Sequence, residues 1–248
     1  MGLAPDIALL QEVSAIPKHV QSIYAYDIVP AMGKSGKQQR FGTAILVKGQ
    51  IEGVLDLPTS IEWVANELRI FSGNLVARQL TLNNGMLFKV ISVYCPAWPV
   101  NRERLHGIDT NGVRLTLHPD VWVGDLLWTS LKQLQLNPNE SWIIGGDFNL
   151  SETFDLWRGG PRGNREYLDR MDALGLVECL RYSKGVLTPT FRNTGNKLIK
   201  HQMDHLFVTT ILQQSLTACD IGSREIIFDA NISDHLPIIA DFDLQRQL

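Results

Sequence analysis

IIGGDFNLS, residues 143–151, runs from two β-branched apolar residues through a glycine pair into an acid and an amide two positions apart. Ile143 and Ile144 belong to WIIGG (142–146), which reads as a buried strand because β-branched side chains pack well on a pleated surface. Side chains along a strand alternate between faces. If extended geometry continues past the glycines, Asp147 and Asn149 project to one side and Phe148 to the other, toward a core. An acid and an amide presented together at a strand end suit a functional site.

Similar short apolar runs recur on both sides of this segment: IALL (7–10), TAILVK (43–48), FKVISVYC (88–95), HLFVTT (205–210) and LPIIADFDL (236–244). Each reads as a strand. Two segments have helical spacing instead. VGDLLWTSLKQLQ (123–135) places Leu126, Leu127, Leu131 and Leu134 on one face, and NREYLDRMDALGLVEC (164–179) does so with Leu168, Met171, Leu174 and Leu176. Strands follow one another in hairpin-like succession as well as through helical crossovers, which predicts a layered α/β or α+β sandwich over a purely parallel sheet. The basic, glycine-containing AMGKSGKQQR (31–40) reads as a solvated loop.

The 248 residues are 44% hydrophobic and 20% charged, enough to bury a sizeable core. Net charge is −3 and the pI about 6.1, which excludes a global positive field, so any contact with a polyanion has to be local. Cys95, Cys179 and Cys219 are far apart and form no Cys-x-x-Cys or Cys/His pattern, so free thiols are expected rather than disulfides or a zinc site. No apolar run has bilayer-spanning length and no charged segment followed by an apolar one opens the chain, so the sequence predicts a cytoplasmic chain without membrane association. No protein partner is evident.

Four candidate sheet ends offer acids. IALLQEV stops being apolar at Gln11 and Glu12; GGDFN carries Asp147 and Asn149; MDHLF (203–207) and SDHLP (233–237) each place a His after an Asp, at Asp204 and at Asp234 with His235. Any one acid alone reads as a surface residue. Together they suit metal-assisted attack of water on a phosphate ester. Magnesium takes hard oxygen ligands and commonly only one or two carboxylates, a part for Glu12 with Asp234. A further carboxylate can orient and deprotonate the water while an amide holds phosphate or nucleophile, which fits Asp147 and Asn149. An imidazole paired with an acid stays protonated near neutrality and can stabilise charge on phosphorus, as His235 on Asp204 would.

The ordered series LLQE (9–12), SVYCP (92–96), GGDFN (145–149), MDHLF and SDHLP resembles the endonuclease/exonuclease/phosphatase superfamily, the deoxyribonuclease-I-like enzymes. The resemblance implies a four-layered sandwich of two mixed β-sheets packed face to face and flanked by helices, in one domain over residues 1–248. It also implies Glu12 at the metal, Asp147 and Asn149 at water and phosphate, Asp204 paired with a histidine, Asp234 and His235 as the closing motif, and Tyr94 beside the scissile phosphate. TPTFR (188–192) resembles the family's threonine-aromatic stretch and offers Phe191 or Arg192 to substrate. The glycines before Asp147 are expected to let phosphate approach the backbone. His201 and His205 are assigned to structure or surface, and Trp142 and Trp157 read more readily as packing groups than as base-stacking ones. Family members open with a strand ending in an asparagine ahead of the helix that leads to LLQE. This sequence opens at MGLAPDIALLQE, so a shortened N-terminus and an unpaired sheet interior are expected.

The function these features predict is a magnesium-dependent phosphodiesterase acting on nucleic acid, with manganese as an alternative ion. Hydrolysis of a small phosphorylated molecule or lipid head group is the second reading, and a catalytically impaired interaction domain the third.

Overall fold

Alternation governs the central strand. Trp142 and Ile144 point to one core and Ile143 to another, as expected for a strand buried on both faces. The computed structural model describes residues 4–156 and 163–244. Its strands are β1 (Ile7–Val13), β2 (Ala25–Met32), β3 (Gln38–Val47), β4 (Gly49–Val54), β5 (Leu75–Leu82), β6 (Leu87–Tyr94), β7 (Trp142–Asp147), β8 (Leu176–Glu178), β9 (Phe191–Arg192), β10 (Ile199–His201), β11 (Asp204–Thr209), β12 (Leu216–Ile221) and β13 (Ile238–Phe242). The helices are α1 (Lys18–Gln21), α2 (Glu62–Ile70), α3 (Val123–Leu134), α4 (Asn164–Asp172), α5 (Cys179–Lys184) and α6 (Thr210–Ser215).

A six-stranded mixed sheet, ordered β4-β5-β6-β7-β11-β8, is the middle of the molecule. One face packs Ile91, Val93, Ile144 and Phe207 against leucines of α2 and α3 and against Tyr167 and Met171 of α4. The other face packs Val90, Ile143 and Val208 against Ile45 and Val47 of β3, with Leu180 of α5, Leu212 of α6 and Cys219 of β12. That second β layer consists of a three-stranded sheet, β1-β3-β2, and a two-stranded one, β12-β13. Ala44 and Leu46 of β3 turn outward onto Ile16, with Val20 of α1 beside them. This is the layered α/β sandwich that the patterning predicts. Among the described residues β1 bonds only β3 and β13 bonds only β12, so each keeps one unpaired edge, and no residue of β1 is fully buried.

Two local expectations are corrected. The helical reading of 164–179 fails after Asp172: Gly175 takes a left-handed φ of 78° that ends the helix, and Leu176–Glu178 pairs with β11 as a strand. The loop of 31–40 is largely the facing ends of β2 and β3, closed by a turn in which the Gly33 N–H donates to the Lys37 carbonyl at 2.8 Å. All three cysteines are free and buried.

Candidate active site

Register brings the first three polar groups together. Tyr94 pairs with Asp147 across parallel β6 and β7, and Asp204 pairs with Asp147 across antiparallel β7 and β11. Three adjacent strand ends thus present a phenol and two carboxylates side by side.

Extended geometry does not continue past Asp147. Asn149 adopts a left-handed φ of 48°, a conformation asparagine tolerates well. Its N–H donates to Asp147 Oδ1 at 2.8 Å, and its Nδ2 donates to Asp147 Oδ2 and to the Cys95 carbonyl, both at 2.8 Å. Asp147 and Asn149 therefore meet through a tight turn and not through strand alternation. Phe148 packs inward against Tyr167, His205 and Phe207. The glycines serve the sheet: a Cβ on Gly146 would lie 2.1 Å from the Val93 carbonyl oxygen, and one on Gly145 would lie 2.8 Å from Leu206.

Glu12 arrives by a bulge. Leu10 pairs with Ala44 and Val13 with Gly42, so β1 holds one residue more than β3 between those pairs. Gln11 turns to the six-stranded sheet and donates to Ser92 Oγ at 3.2 Å. By alternation Glu12 would face away. A left-handed φ of 57° at Glu12 instead brings its carboxylate to Tyr94, whose hydroxyl donates to Glu12 Oε1 at 3.0 Å.

His235 reaches the cluster from the segment before β13. Its Nδ1–H donates to Asp204, at 2.9 Å to Oδ2 and 3.1 Å to Oδ1. Thr190, fully buried, joins the two segments: its Oγ accepts from the Met203 and Asp204 N–H groups, and its carbonyl accepts from Leu236 N–H. TPTFR therefore positions the acid and the imidazole through its threonine, a role that the sequence reading gave to neither Phe191 nor Arg192.

Charge is concentrated here. Burial raises the Asp147 pKa; the Asp204 charge and, more weakly, Glu12 add to this, while His235 and the Asn149 N–H oppose it. Burial disfavours the His235 imidazolium, but the Asp204 hydrogen bond and charge, with Asp147 and Asp234 adding to it, outweigh this and raise its pKa to about 9. Burial, then Glu12 and Asp147, raise the Tyr94 hydroxyl as well. Asp147, Asp204 and His235 each offer one ligand atom within 4.8 Å of the others. A protonated imidazole bound through Nδ1 to Asp204 is a poor metal ligand, so the pair reads better as an ion pair beside Asp147.

The other candidates are spread around this centre. The Asp234 carbonyl accepts from the Arg192 N–H, and its side chain reaches the cluster only through its charge on His235. Glu12 and Asp234 are not brought to a common point by any contact among the described residues. Arg192 donates to Asn231 Oδ1 at 3.2 Å and lies 4.7 Å over the Phe228 ring. Phe191 packs 5.0 Å from the His235 ring. His201 bonds Thr153, and His205, buried, donates from Nε2 to the Leu150 carbonyl at 3.0 Å, bracing the loop after Asn149. Trp142 is buried and donates to Glu140; Trp157 lies outside the described residues. A concavity of about 570 Å³ lies within residues 108–119 and contains none of these groups, so the acid and imidazole cluster, not cavity volume, marks the site.

The model of the endonuclease/exonuclease/phosphatase family matches residues 2–235. The chain belongs to that family, and so to the phosphoric ester hydrolases. Among solved structures, it is similar to the 3′ phosphatase NExo from Neisseria bound to a product DNA hairpin, at 17% identity and a TM-score of 0.65, covering 96% of this chain and 89% of that one. An AP endonuclease from Archaeoglobus fulgidus gives 17% identity and 0.65, covering 97% and 90%. The endonuclease domain of TRAS1, a telomere-specific non-LTR retrotransposon, gives 16% and 0.55, covering 97% and 87%. At these identities the likeness is one of fold. No curated protein sequence matches the chain.

Proposed function

We propose that this chain hydrolyses phosphodiester bonds of nucleic acid with the help of a divalent cation. The observation that supports this most is the convergence on one sheet edge of Glu12 on Tyr94, Asn149 on Asp147, and His235 on Asp204. Three carboxylates face a single imidazolium there, a net acidic set of hard oxygen donors that fits magnesium or manganese. Glu12 is exposed and uses only Oε1, for Tyr94, so its second oxygen would hold the ion, with Asp234, whose charge acts on His235, as a second candidate. Such an ion supplies charge neutralisation at the phosphoryl oxygens.

The protein groups have separable parts. Asp147 orients the attacking water and takes its proton, and its raised pKa suits a base working near neutrality. Asn149 fixes that carboxylate, because both of its amide hydrogens are engaged in the turn. Asp204 holds His235 charged, with Nε2–H left to donate to a phosphoryl oxygen as charge develops. Tyr94, held by Glu12, sits where a non-bridging oxygen would be positioned, and Arg192 at the rim is available to a neighbouring phosphate.

Nucleic acid is favoured because the Neisseria phosphatase of the same fold holds a DNA hairpin. The net charge of −3 keeps a small phosphate ester as the second reading. Hydrolysis of plasmid, single-stranded oligonucleotide and bis-p-nitrophenyl phosphate, with magnesium and with chelator, separates the two. Nucleic acid as substrate predicts metal-dependent cleavage of the polymers; cleavage of the small ester alone overturns it.

A further inference from the structure

The basic stretch 31–40 forms the end of the β2–β3 hairpin and lies beside the acid cluster. Two ties fix it there. Between the Pro30–Gly42 and Met32–Gln38 pairs, residues 39–41 of β3 stand opposite the single residue Ala31 of β2, a bulge of the kind that re-aims side chains. Phe41, in that bulge, meets the Tyr94 ring edge to face at 5.6 Å. On the other strand the Met32 N–H donates to Asn74 Oδ1 at 2.8 Å, and Asn74 Nδ2 donates to the Tyr94 carbonyl at 3.2 Å. Both strands of the hairpin are thereby anchored to the strand end that carries Tyr94. The tip is closed by the Gly33 N–H on the Lys37 carbonyl at 2.8 Å and the Gly36 N–H on the Gly33 carbonyl at 2.9 Å.

The charge on this tip is unpaired. Lys34, Lys37 and Arg40 are exposed, and among the described residues none of them joins an ion pair, whereas Lys48, Arg78 and Lys89 each meet an acid. No Asp or Glu occurs between Asp27 and Glu52. Three cations with no acid among them thus stand on one anchored tip, in a chain of net charge −3. They also stand at one end of a row. Tyr94, Asp147 and Asp204 lie at the ends of three neighbouring strands, β6, β7 and β11, and Arg192 follows beyond His235, next to Phe191, which bridges to His235. Cations therefore bracket the acids: the hairpin flanks Tyr94, and Arg192 flanks His235. A small ester bound at Asp147 fills only the middle of this row, whereas a chain of phosphates fills all of it.

We propose that the β2–β3 hairpin holds the nucleic-acid backbone on the Tyr94 side of the scissile phosphate, so that, with Arg192 on the other side, the bond cut is an internal one. The proposal rests on the phosphodiesterase reading and adds to it a second binding surface and the position of the bond along the polymer. Ammonium and guanidinium groups on backbone phosphates set the register of a strand without reading its bases, so the hairpin contributes affinity and not sequence preference.

The test follows an end-labelled oligonucleotide, single-stranded and annealed, and bis-p-nitrophenyl phosphate, all with magnesium. Three proteins are compared: the wild type, a variant with Lys34→Gln, Lys37→Gln and Arg40→Gln together, and a charge-retaining variant with Lys34→Arg, Lys37→Arg and Arg40→Lys. The wild type should release fragments of several nucleotides from the first time points. The glutamine variant should show an oligonucleotide KM about tenfold or more higher, and its slope of log KM against log salt should fall by about 2 to 3, as three phosphate contacts are lost. Its KM for bis-p-nitrophenyl phosphate, which has no neighbouring phosphate, should stay at the wild-type value, and the charge-retaining variant should keep both. Release of single nucleotides from the start, or a glutamine variant with the wild-type oligonucleotide KM and salt slope, overturns the role of the hairpin while leaving the phosphodiesterase reading intact. A KM that rises equally for polymer and small ester also overturns it, because the hairpin would then support the site itself. Cleavage of bis-p-nitrophenyl phosphate alone, or of no substrate, overturns both.

Discussion

Glu12 carries the most telling backbone in the site. A left-handed φ of 57° in a glutamate costs about 1–2 kcal/mol, and such strain persists where the surroundings hold it. Glu12→Gly should therefore gain about 1 kcal/mol in denaturant unfolding, after glycine's own entropic cost, while metal-dependent hydrolysis falls by about 10²-fold or more. A loss of both stability and activity would mean that the Tyr94 contact, not function, holds the bulge. At this scale much could be read from the sequence. GGDFN, MDHLF and SDHLP drew attention to Asp147, Asn149, Asp204 and His235, and the structure brings these four into contact. Glu12 was named too, but the bulge that turns it toward Tyr94 depends on pairing with β3, which no local pattern contains.

At the level of elements, register is the organising fact, and the glycines enforce it. Gly146→Ala would drive a methyl into the Val93 carbonyl across β6 and β7. It should destabilise the chain by roughly 2 kcal/mol or more, read as a lower midpoint in denaturant; an unchanged midpoint would show that the strands can part without cost. Helix α3 gives a second prediction, of opposite origin. Burial raises the Asp125 pKa from 3.8 to about 7, against the Trp122 N–H and Arg170, which lower it. The folded chain thus keeps a proton there that the unfolded chain releases. Its contribution to stability is full below about pH 4 and is lost as pH rises to about 7, at roughly 1.4 kcal/mol for each unit. Thermal unfolding across that range should show Asp125→Asn matching the wild type near the acid end and exceeding it above neutrality. Parallel curves would mean that Asp125 is not held protonated. Strand and helix identities followed from apolar spacing, as in β7 and α3. The end of α4 did not, because Leu174 and Leu176 continue the helical spacing by coincidence while Gly175 has already turned the chain.

The whole molecule joins these pieces by sheet packing. A layered mixture of strands and helices was legible from the apolar patterns; that two sheets pack face to face was legible only through the family resemblance, and the six-strand order and the division of the second β layer were not legible at all, since pairing order has no local signature. The chain's net charge of −3 makes any hold on nucleic acid a local matter of residues such as Arg192 and His235. Binding of an oligonucleotide should nevertheless weaken roughly tenfold or more over a modest rise in salt if several phosphates are contacted, whereas KM for bis-p-nitrophenyl phosphate should barely move. Equal salt dependence for both would favour the small-ester reading. If the cluster around Asp147 and His235 performs phosphodiester hydrolysis, turnover of bis-p-nitrophenyl phosphate by the wild type, Asp147→Ala and His235→Ala, each with magnesium and with chelator, alongside their unfolding midpoints, decides the matter. Turnover should be metal-dependent in the wild type and fall about 10²–10⁴-fold in either variant, with midpoints close to the wild type's. Equal turnover in all three proteins would contradict that role of the cluster.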